Sequence, residues 1–476
     1  MKEQNLSIDI LEKNEVPDEL ALPLLNGIKS LCKSGKIKII VLDDDPTGTQ
    51  TIHDLSVITL WNEDLVEEMM KDNSPGFFIL TNTRSMTEKK AIAVNEEIAR
   101  NIKIVAEKLG YVPLLISRSD STLRGHFPAE LLALEKGLGK NFDGFVFMPY
   151  FKEGGRFTID DTHYLQQDQE LIPIASTPFA KDPVFGYTSS DLRKYIREKT
   201  NNQVESSSVI SIDIFSLNEG TPAVEKILDL LKAGQYAIVN GTCLYHATVL
   251  ALAVIHQYQK NKPLLVRCAP SLVQAFFGIS HSKQLASLET IFSEQPTYRG
   301  GLMIVGSFVP QTTAQINHLL KHIDIIPVEL KVDKLFEGDP LIYLGQLSDK
   351  IKFHLQQKSS VVLFTSRDIF SSDGIDQNTE TAAKISNALV TVVKQLSFAP
   401  KFLVAKGGIT SSDIATRALG VIKAKVLGQL LPGVVVWELD KNAKFPGTPY
   451  IIVPGNVGGE DCLTRIYDIL NSYAAA

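Results

Sequence analysis

The 476-residue chain is long enough for two or three domains with cores of their own, so its stability needs no disulfide or metal staple. With 44 % hydrophobic and 21 % charged residues, and no apolar run near the roughly 20 residues of a bilayer span, the composition excludes a disordered or membrane-spanning chain. A formal charge of -6 gives no general attraction to nucleic acid, and four scattered cysteines (Cys32, Cys243, Cys268, Cys462) without a C-x-x-C pair suggest neither a zinc ribbon nor a disulfide framework. Glu3, Asp9, Glu12 and Glu15 stand where a secretory signal would carry basic and then apolar residues, so a reducing, cytoplasmic setting is expected.

Residues 1–36 read as a helical extension. Short apolar runs ending in Gly, Pro, Asn or Asp then alternate with segments of helical period: "IKIIVL" (37–42), "FFIL" (77–80), "LLIS" (114–117), "FVFMP" (145–149), "YAIVN" (236–240) and "PLLVR" (263–267). After the polar stretch 292–301 the runs resume with "GLMIVG" (301–306), "VVLFT" (361–365), "KFLVAKGG" (401–408), "VVVWEL" (434–439) and "YIIVPG" (450–455). Near-continuous apolar strands alternating with helices predict an α/β protein whose mostly parallel sheets are covered on both faces. The number of runs exceeds one sheet, so two three-layer domains are expected, 37–290 and 295–470, with a ligand cleft between them. In open α/β sheets ligands sit beyond the carboxyl ends of the strands.

Three strand ends in the first half carry one chemistry: Asp43, Asp44, Asp45, Thr47 and Gly48; then Thr81, Asn82, Thr83 and Arg84; then "SRSDSTLRGH" (117–126). Guanidinium forks of Arg84, Arg118 and Arg124 match a carboxylate or phosphate, while the acids and hydroxyls, Ser121 among them, suit a polyol. The expected ligand is small, anionic at one end and hydroxylated along its length. The plain structural alternatives are a helix cap plus solvated acids for the triple Asp, arginines that merely pair with them, and Asp120 capping a helix begun by "STLRG". His126 and His163 read as satisfied loop histidines rather than catalytic groups.

The second half contains three glycine-rich junctions, at Gly306–Ser307, at "KGGITSSD" (406–413) and at "PGNVGG" (454–459). Glycines there let backbone N–H groups approach an anion, and a following helix adds its dipole, so the junctions read as phosphate cradles. The P-loop, dinucleotide-binding and protein-kinase signatures are missing.

With these motifs in hand, the sequence resembles the four-carbon acid sugar kinase family. "DDPTG" (44–48), "TNTRS" (81–85), "RSDSTLRGH" (118–126), "VRCAPSLVQAFFGI" (266–279), "VGSFVPQTT" (305–313), "KGGITSSDIA" (406–415) and "PGNVGG" follow the family's order over residues 37 to 470. The resemblance implies a substrate-binding N-terminal domain, a nucleotide-binding C-terminal domain, and ATP- and Mg²⁺-dependent phosphorylation of the terminal hydroxyl of erythronate, threonate or a 3-oxo-tetronate. It implies an acid-sugar site made by Asp44, Asp45, Arg84, Arg118, Asp120 and Arg124, to which the strand-end chemistry adds Thr47, Gly48, Asn82 and Ser121. It implies an ATP site at Ser307, Gly407, Gly408, Ile409, Thr410, Gly455, Asn456 and Gly458. Many members place a lysine where this chain has Val453. Asp45 and Asp120 are the candidate acceptors of the hydroxyl proton; the metal ligands are not assigned, and a homodimer is compatible with the family. Two other classes are kept: a phosphatase of the haloacid-dehalogenase type with Asp43 as nucleophile, and a sugar-acid sensor that binds no nucleotide.

Overall fold

The computed structural model describes residues 4–34, 37–110, 112–280, 285–293, 299–307, 309–366, 375–455 and 457–473, the side chains of 375–380 excepted. The chain forms two compact units, one of Met1–Thr51 and Leu60–Lys283, the other of Ile52–Thr59 and Gln284–Ala476.

The first unit is built on seven parallel strands: β1 (Ile39–Asp43), β2 (Gly76–Leu80), β3 (Leu114–Arg118), β4 (Phe145–Met148), β5 (Ile210–Ile212), β6 (Tyr236–Val239) and β7 (Leu265–Cys268). Their order is β5-β6-β4-β7-β3-β1-β2. All residues of β1, β2 and β3 are buried, which is why these runs show no alternation of apolar and polar residues. Two groups of helices flank the sheet. Glu88–Leu109 packs on Ala129–Leu138 and Glu63–Lys71, and Leu244–Gln259 packs on Asp18–Lys33, Thr221–Leu228 and Pro270–Phe276. A separate antiparallel sheet joins Arg156–Ile159, Thr162–Gln167, Glu170–Pro173 and Leu6–Ser7. It is absent from the sequence reading because its strands are short and half polar.

In the second unit five parallel strands are joined by antiparallel ones. The strands are β8 (Leu302–Val305), β9 (Ile326–Leu330), β10 (Val361–Thr365), β11 (Leu403–Lys406), β12 (Lys423–Leu431), β13 (Val434–Leu439) and β14 (Pro449–Val453). The parallel order is β9-β10-β8-β11-β14, and β13, β12 and Leu55–Ile58 follow β14 antiparallel. The run "VVVWEL", read as one of the parallel strands, is thus antiparallel: its apolar content reports burial, not direction. Val305, Val404, Ile451, Val453, Leu463 and Ile466 belong to the core of this unit.

Candidate functional site

In the first unit the order β7-β3-β1-β2 aligns the carboxyl ends of four neighbouring strands. Asp43 on β1 is in register with Arg118 on β3, and the guanidinium Nη1 donates to Asp43 Oδ1 at 2.8 Å. This pairing explains why an apolar strand can end in acids. The Asp44 N–H donates to the Arg118 carbonyl at 3.4 Å and the Arg84 N–H to the Asp44 carbonyl at 3.3 Å, so the three strand ends are tied by backbone as well. Gly48 lies directly over the Asp43–Arg118 pair; a Cβ there would overlap both side chains.

Asp45 leaves the strand and caps the short turn Pro46–Thr49, its Oδ1 accepting from the Thr47 N–H at 2.8 Å and from the Thr47 hydroxyl. Its other oxygen pairs with Arg84 Nη2 at 2.8 Å. The same Arg84 nitrogen lies 3.5 Å from Asp44 Oδ1, and Arg84 Nη1 lies 3.5 Å from Asp120 Oδ2. Arg84 is therefore the hub that joins the first and third motifs. Asp120 accepts from Arg124 Nε at 2.7 Å and from the Thr122 hydroxyl and N–H. It begins no helix: residues 121–125 form turns, with Leu123 at φ 66°, and the next helix starts at Ala129. Asn82 is also left-handed, at φ 52°, and its carbonyl takes the Ser85 N–H and hydroxyl. Ser121 contributes its carbonyl, which accepts from His163 Nε2 at 2.8 Å.

Burial pushes the Asp43 carboxyl up to about 7, with Arg118 opposing and Asp44 and Asp45 assisting. Burial likewise raises Asp44 against the pull of Arg84. For Asp45 burial is outweighed by Arg84 and the Thr47 hydrogen bonds, and for Asp120 by Arg124 and Arg84, so both carboxyls are held below the ordinary range. These two stay ionised at neutral pH. They are also the acids with an exposed edge, 21 % and 12 % of the side chain. Asp45 is the more accessible, and its Oδ2 carries fewer donors than Asp120 Oδ2.

A second buried layer supports this cluster and was missed in the sequence. Ser119 donates to Asp44 Oδ2 at 2.5 Å and accepts from Arg267 Nη2 at 2.7 Å; Arg267 Nη1 meets Ser117 Oγ at 2.7 Å and Glu130 Oε2 at 2.6 Å. Arg267 sits in register with Ser117 on adjacent strands, and its position at the end of "PLLVR" was the available signal. Gly125, at φ 133°, leaves room for the Arg267 and Ser119 side chains. His126 Nε2 faces the carbonyls of Thr83 and Met86 at 3.1 and 3.0 Å. His163 is wholly buried with its Nδ1 2.9 Å from Thr158 Oγ1, and burial pushes its pKa down to about 4. His163 is a buried strut of the strand Thr162–Gln167, and the His126 ring spans two loop carbonyls.

In the second unit Gly306, Ser307, Gly407, Gly408, Ile409, Thr410 and Gly455 line one cavity of about 250 Å³. Val309, Ala382, Ile385, Ser386 and Leu389 complete it. One wall is apolar and the other is glycine and hydroxyl, the pairing that a planar base and its phosphates need. Gly407 holds φ +107° and its N–H donates to the Val453 carbonyl at 2.8 Å. Thr312 Oγ1 bridges Ser307 Oγ at 3.2 Å and the Gly455 carbonyl at 3.3 Å. Gly458 is not on the cavity: it holds φ +82° against Cys462, and its carbonyl takes Gln311 and Gln315. Asn456 lies outside the described residues. Lys406, in register with Val453, is fully buried and donates to the carbonyls of Pro454 and Gly455 at 2.9 and 3.3 Å; burial pushes its pKa down to about 8.

Among the described residues no group of three His, Cys, Asp or Glu side chains is arranged to hold a metal. No hydrogen-bond donor among the described residues meets the buried Asp43 Oδ2 or Asp44 Oδ1. One or two carboxylates are what Mg²⁺ takes when phosphates and water supply its other ligands, so the residues fit an ion carried by a nucleotide rather than a protein cage.

Residues 39–276 match the family model described as a sugar-binding N-terminal domain, and residues 302–463 match a nucleotide-binding C-terminal domain. The chain belongs to the four-carbon acid sugar kinase family. The cluster of acids and arginines lies in its sugar-binding unit and the glycine-lined cavity in its nucleotide-binding unit. A Salmonella typhimurium LT2 protein described as a candidate tRNA synthase shares the fold at 17 % identity and TM-score 0.65, over 90 % of this chain and 98 % of its own. A Haemophilus influenzae protein of the DUF1537 family does so at 16 % identity and TM-score 0.60, over 91 % and 99 %. No curated protein matches the chain. Among the described residues no helix is long and apolar enough to cross a membrane.

Proposed function

We propose that this chain is an ATP-dependent kinase that phosphorylates the terminal hydroxyl of a four-carbon sugar acid, of the erythronate, threonate or 3-oxo-tetronate class. The observation that carries the reading is the cavity in which Ser307, Gly407, Gly408, Ile409, Thr410 and Gly455 converge beside an apolar wall, within a nucleotide-binding domain. The acids and arginines of the sugar-binding domain supply the complementary chemistry for a hydroxylated anion.

Phosphoryl transfer needs positioning and charge neutralisation more than covalent help. Asp45 accepts a hydrogen bond from the terminal hydroxyl and takes its proton as the new oxygen–phosphorus bond forms and the bond to the β-phosphate oxygen breaks, releasing ADP. A carboxylate held below the ordinary range is a weak base, which suffices because a loose transition state leaves the hydroxyl proton until late. Asp120, fixed by Arg84 and Arg124, orients a second hydroxyl. Asp44, whose buried Oδ1 meets no hydrogen-bond donor among the described residues, would help to hold the Mg²⁺ that ATP carries, and the ion would neutralise phosphate charge.

The phosphatase alternative asks Asp43 to attack phosphorus in line. Asp43 is 1 % exposed, covered by Gly48 and bonded to Arg118, which leaves its carboxylate no path to a substrate. Phosphorus NMR of a reaction with Mg·ATP tests the assignment. The expected product is a phosphomonoester on the terminal carbon, formed in step with ADP. Release of inorganic phosphate alone, or of none, would reject it.

A further inference from the structure

We infer that Arg156, which lies outside every motif of the sequence reading, is the residue that takes the carboxylate of the sugar acid. The inference rests on the kinase reading and assigns one end of its substrate.

Four arginines of the cluster already have a carboxylate partner. Arg118 holds Asp43 at 2.8 Å, Arg84 holds Asp45 at 2.8 Å, Arg124 holds Asp120 at 2.7 Å and Arg267 holds Glu130 at 2.6 Å. The charge of each of these four is thereby answered within the protein. Arg156 differs. Among the described residues no carboxylate lies within 4 Å of it, its buried Nε has no acceptor, and its Nη1 donates only to the nearby carbonyl of Gly154. A largely buried cation without a counter-charge in direct contact is costly, and a ligand anion removes that cost.

The position of Arg156 suits the task. It opens the strand Arg156–Ile159, paired by backbone with Phe151 after the turn Lys152–Gly155. Gly154 gives the guanidinium its space, since a Cβ there would overlap Arg156 Nη1 and the Phe151 ring. The hairpin is tied to the arginine-rich loop by the His163–Ser121 hydrogen bond, and Asp120 and Arg124 are the charged groups that Arg156 feels. A carboxylate gripped bidentately at Arg156 therefore lies beside the loop that carries Asp120, the acid placed to orient a hydroxyl.

The test uses the full chain and calorimetry with erythronate and threonate, each beside its neutral carboxamide. Wild type should favour acid over amide, and Arg156→Gln should lower that preference about 10- to 100-fold, the scale of a charge-assisted hydrogen-bond pair, with ATP affinity unchanged. Because the ratio is taken within one variant, loss of folded protein lowers both terms and leaves it intact. Arg156→Lys should recover part of the preference. An R156Q variant with the wild-type acid preference would overturn the inference and leave the kinase reading standing. A wild type that neither binds nor phosphorylates any tetronate would overturn both.

Discussion

In the sugar-binding unit nearly every charge at the strand ends is answered by another within 3 Å, whereas the cavity of the nucleotide-binding unit is lined by glycines, hydroxyls and apolar side chains, with no charged one among its described lining. The first arrangement is a fixed scaffold. Most of its charge is spent internally, and on the proposed reading its ion pairs hold donors and acceptors in place for a small hydroxylated ligand. On the proposed reading the second arrangement is an open cradle for a ligand that carries its own charge and counter-ion. Lys406, a buried cation next to the cavity's glycines, braces the Pro454 and Gly455 carbonyls. Damage should follow the same division: substitutions in the first unit threaten folding or turnover, and those in the second should weaken nucleotide binding while sparing the fold.

The sharpest break of that comparison is Asp45→Asn. It retains the size of the side chain and the Thr47 hydrogen bonds but gives up the Arg84 ion pair and the proton acceptor, so turnover should fall about 10²- to 10⁴-fold with ATP affinity nearly unchanged and only a modest drop in melting temperature. Steady-state kinetics beside a thermal melt checks it; near-normal turnover would remove Asp45 from the mechanism. Next in size is Arg267→Met, which strands the Glu130 carboxylate in a buried site, both side chains being 3 to 4 % exposed. The expected loss is about 3–5 kcal/mol of stability by urea unfolding, most of it recovered by adding Glu130→Leu. Gly407→Ala forces φ +107° on a side-chain-bearing residue and sets a Cβ 3.3 Å from that of Ser307. ATP should bind about 10-fold more weakly, following a strain of about 1–2 kcal/mol, with sugar-acid binding untouched.

The smallest effect concerns pH. His163 has a folded pKa of about 4 against 6.5 for the free side chain, so the unfolded chain binds the proton more readily. The stability this neutral histidine contributes is complete above about 6.5 and is lost as pH falls through about 4. Asp43 acts in the opposite sense, since its raised value of about 7 makes the folded state weaker as pH climbs from about 4 to 7. The melting temperature of wild type minus that of His163→Gln isolates the histidine: the difference should shrink steadily between pH 6.5 and 4, and a flat difference would contradict the assignment.

Much of this division is legible in the sequence because both units place their chemistry directly after apolar strands. The runs ending at Asp43, Leu80 and Arg118 are buried on both faces, and their parallel order brings the following residues together. The glycines at 306, 407 and 455 meet for the same reason. What was not legible depends on contacts between distant segments. Arg267 reaches Glu130 across 137 positions, and Arg156 is placed by a hairpin whose mixed polar strands carry no period strong enough to see. Gly458 shows the converse: its motif pointed to the ligand, and it lies off the cavity lining in a left-handed turn against Cys462. The turn at 121–125 stands where the plain structural alternative put a helix, because Asp120 spends its carboxylate on Thr122 and Arg124 rather than on a helical N-terminus.

The measurement that tests the central claim most directly is ADP release from Mg·ATP by the full chain across D- and L-erythronate, D- and L-threonate and the 3-oxo-tetronates. The account predicts that at least one of these acids raises ADP release far above the acid-free rate and that Asp45→Asn abolishes the rise. A rate that stays at the acid-free level with every member, from protein that binds ATP, would contradict it.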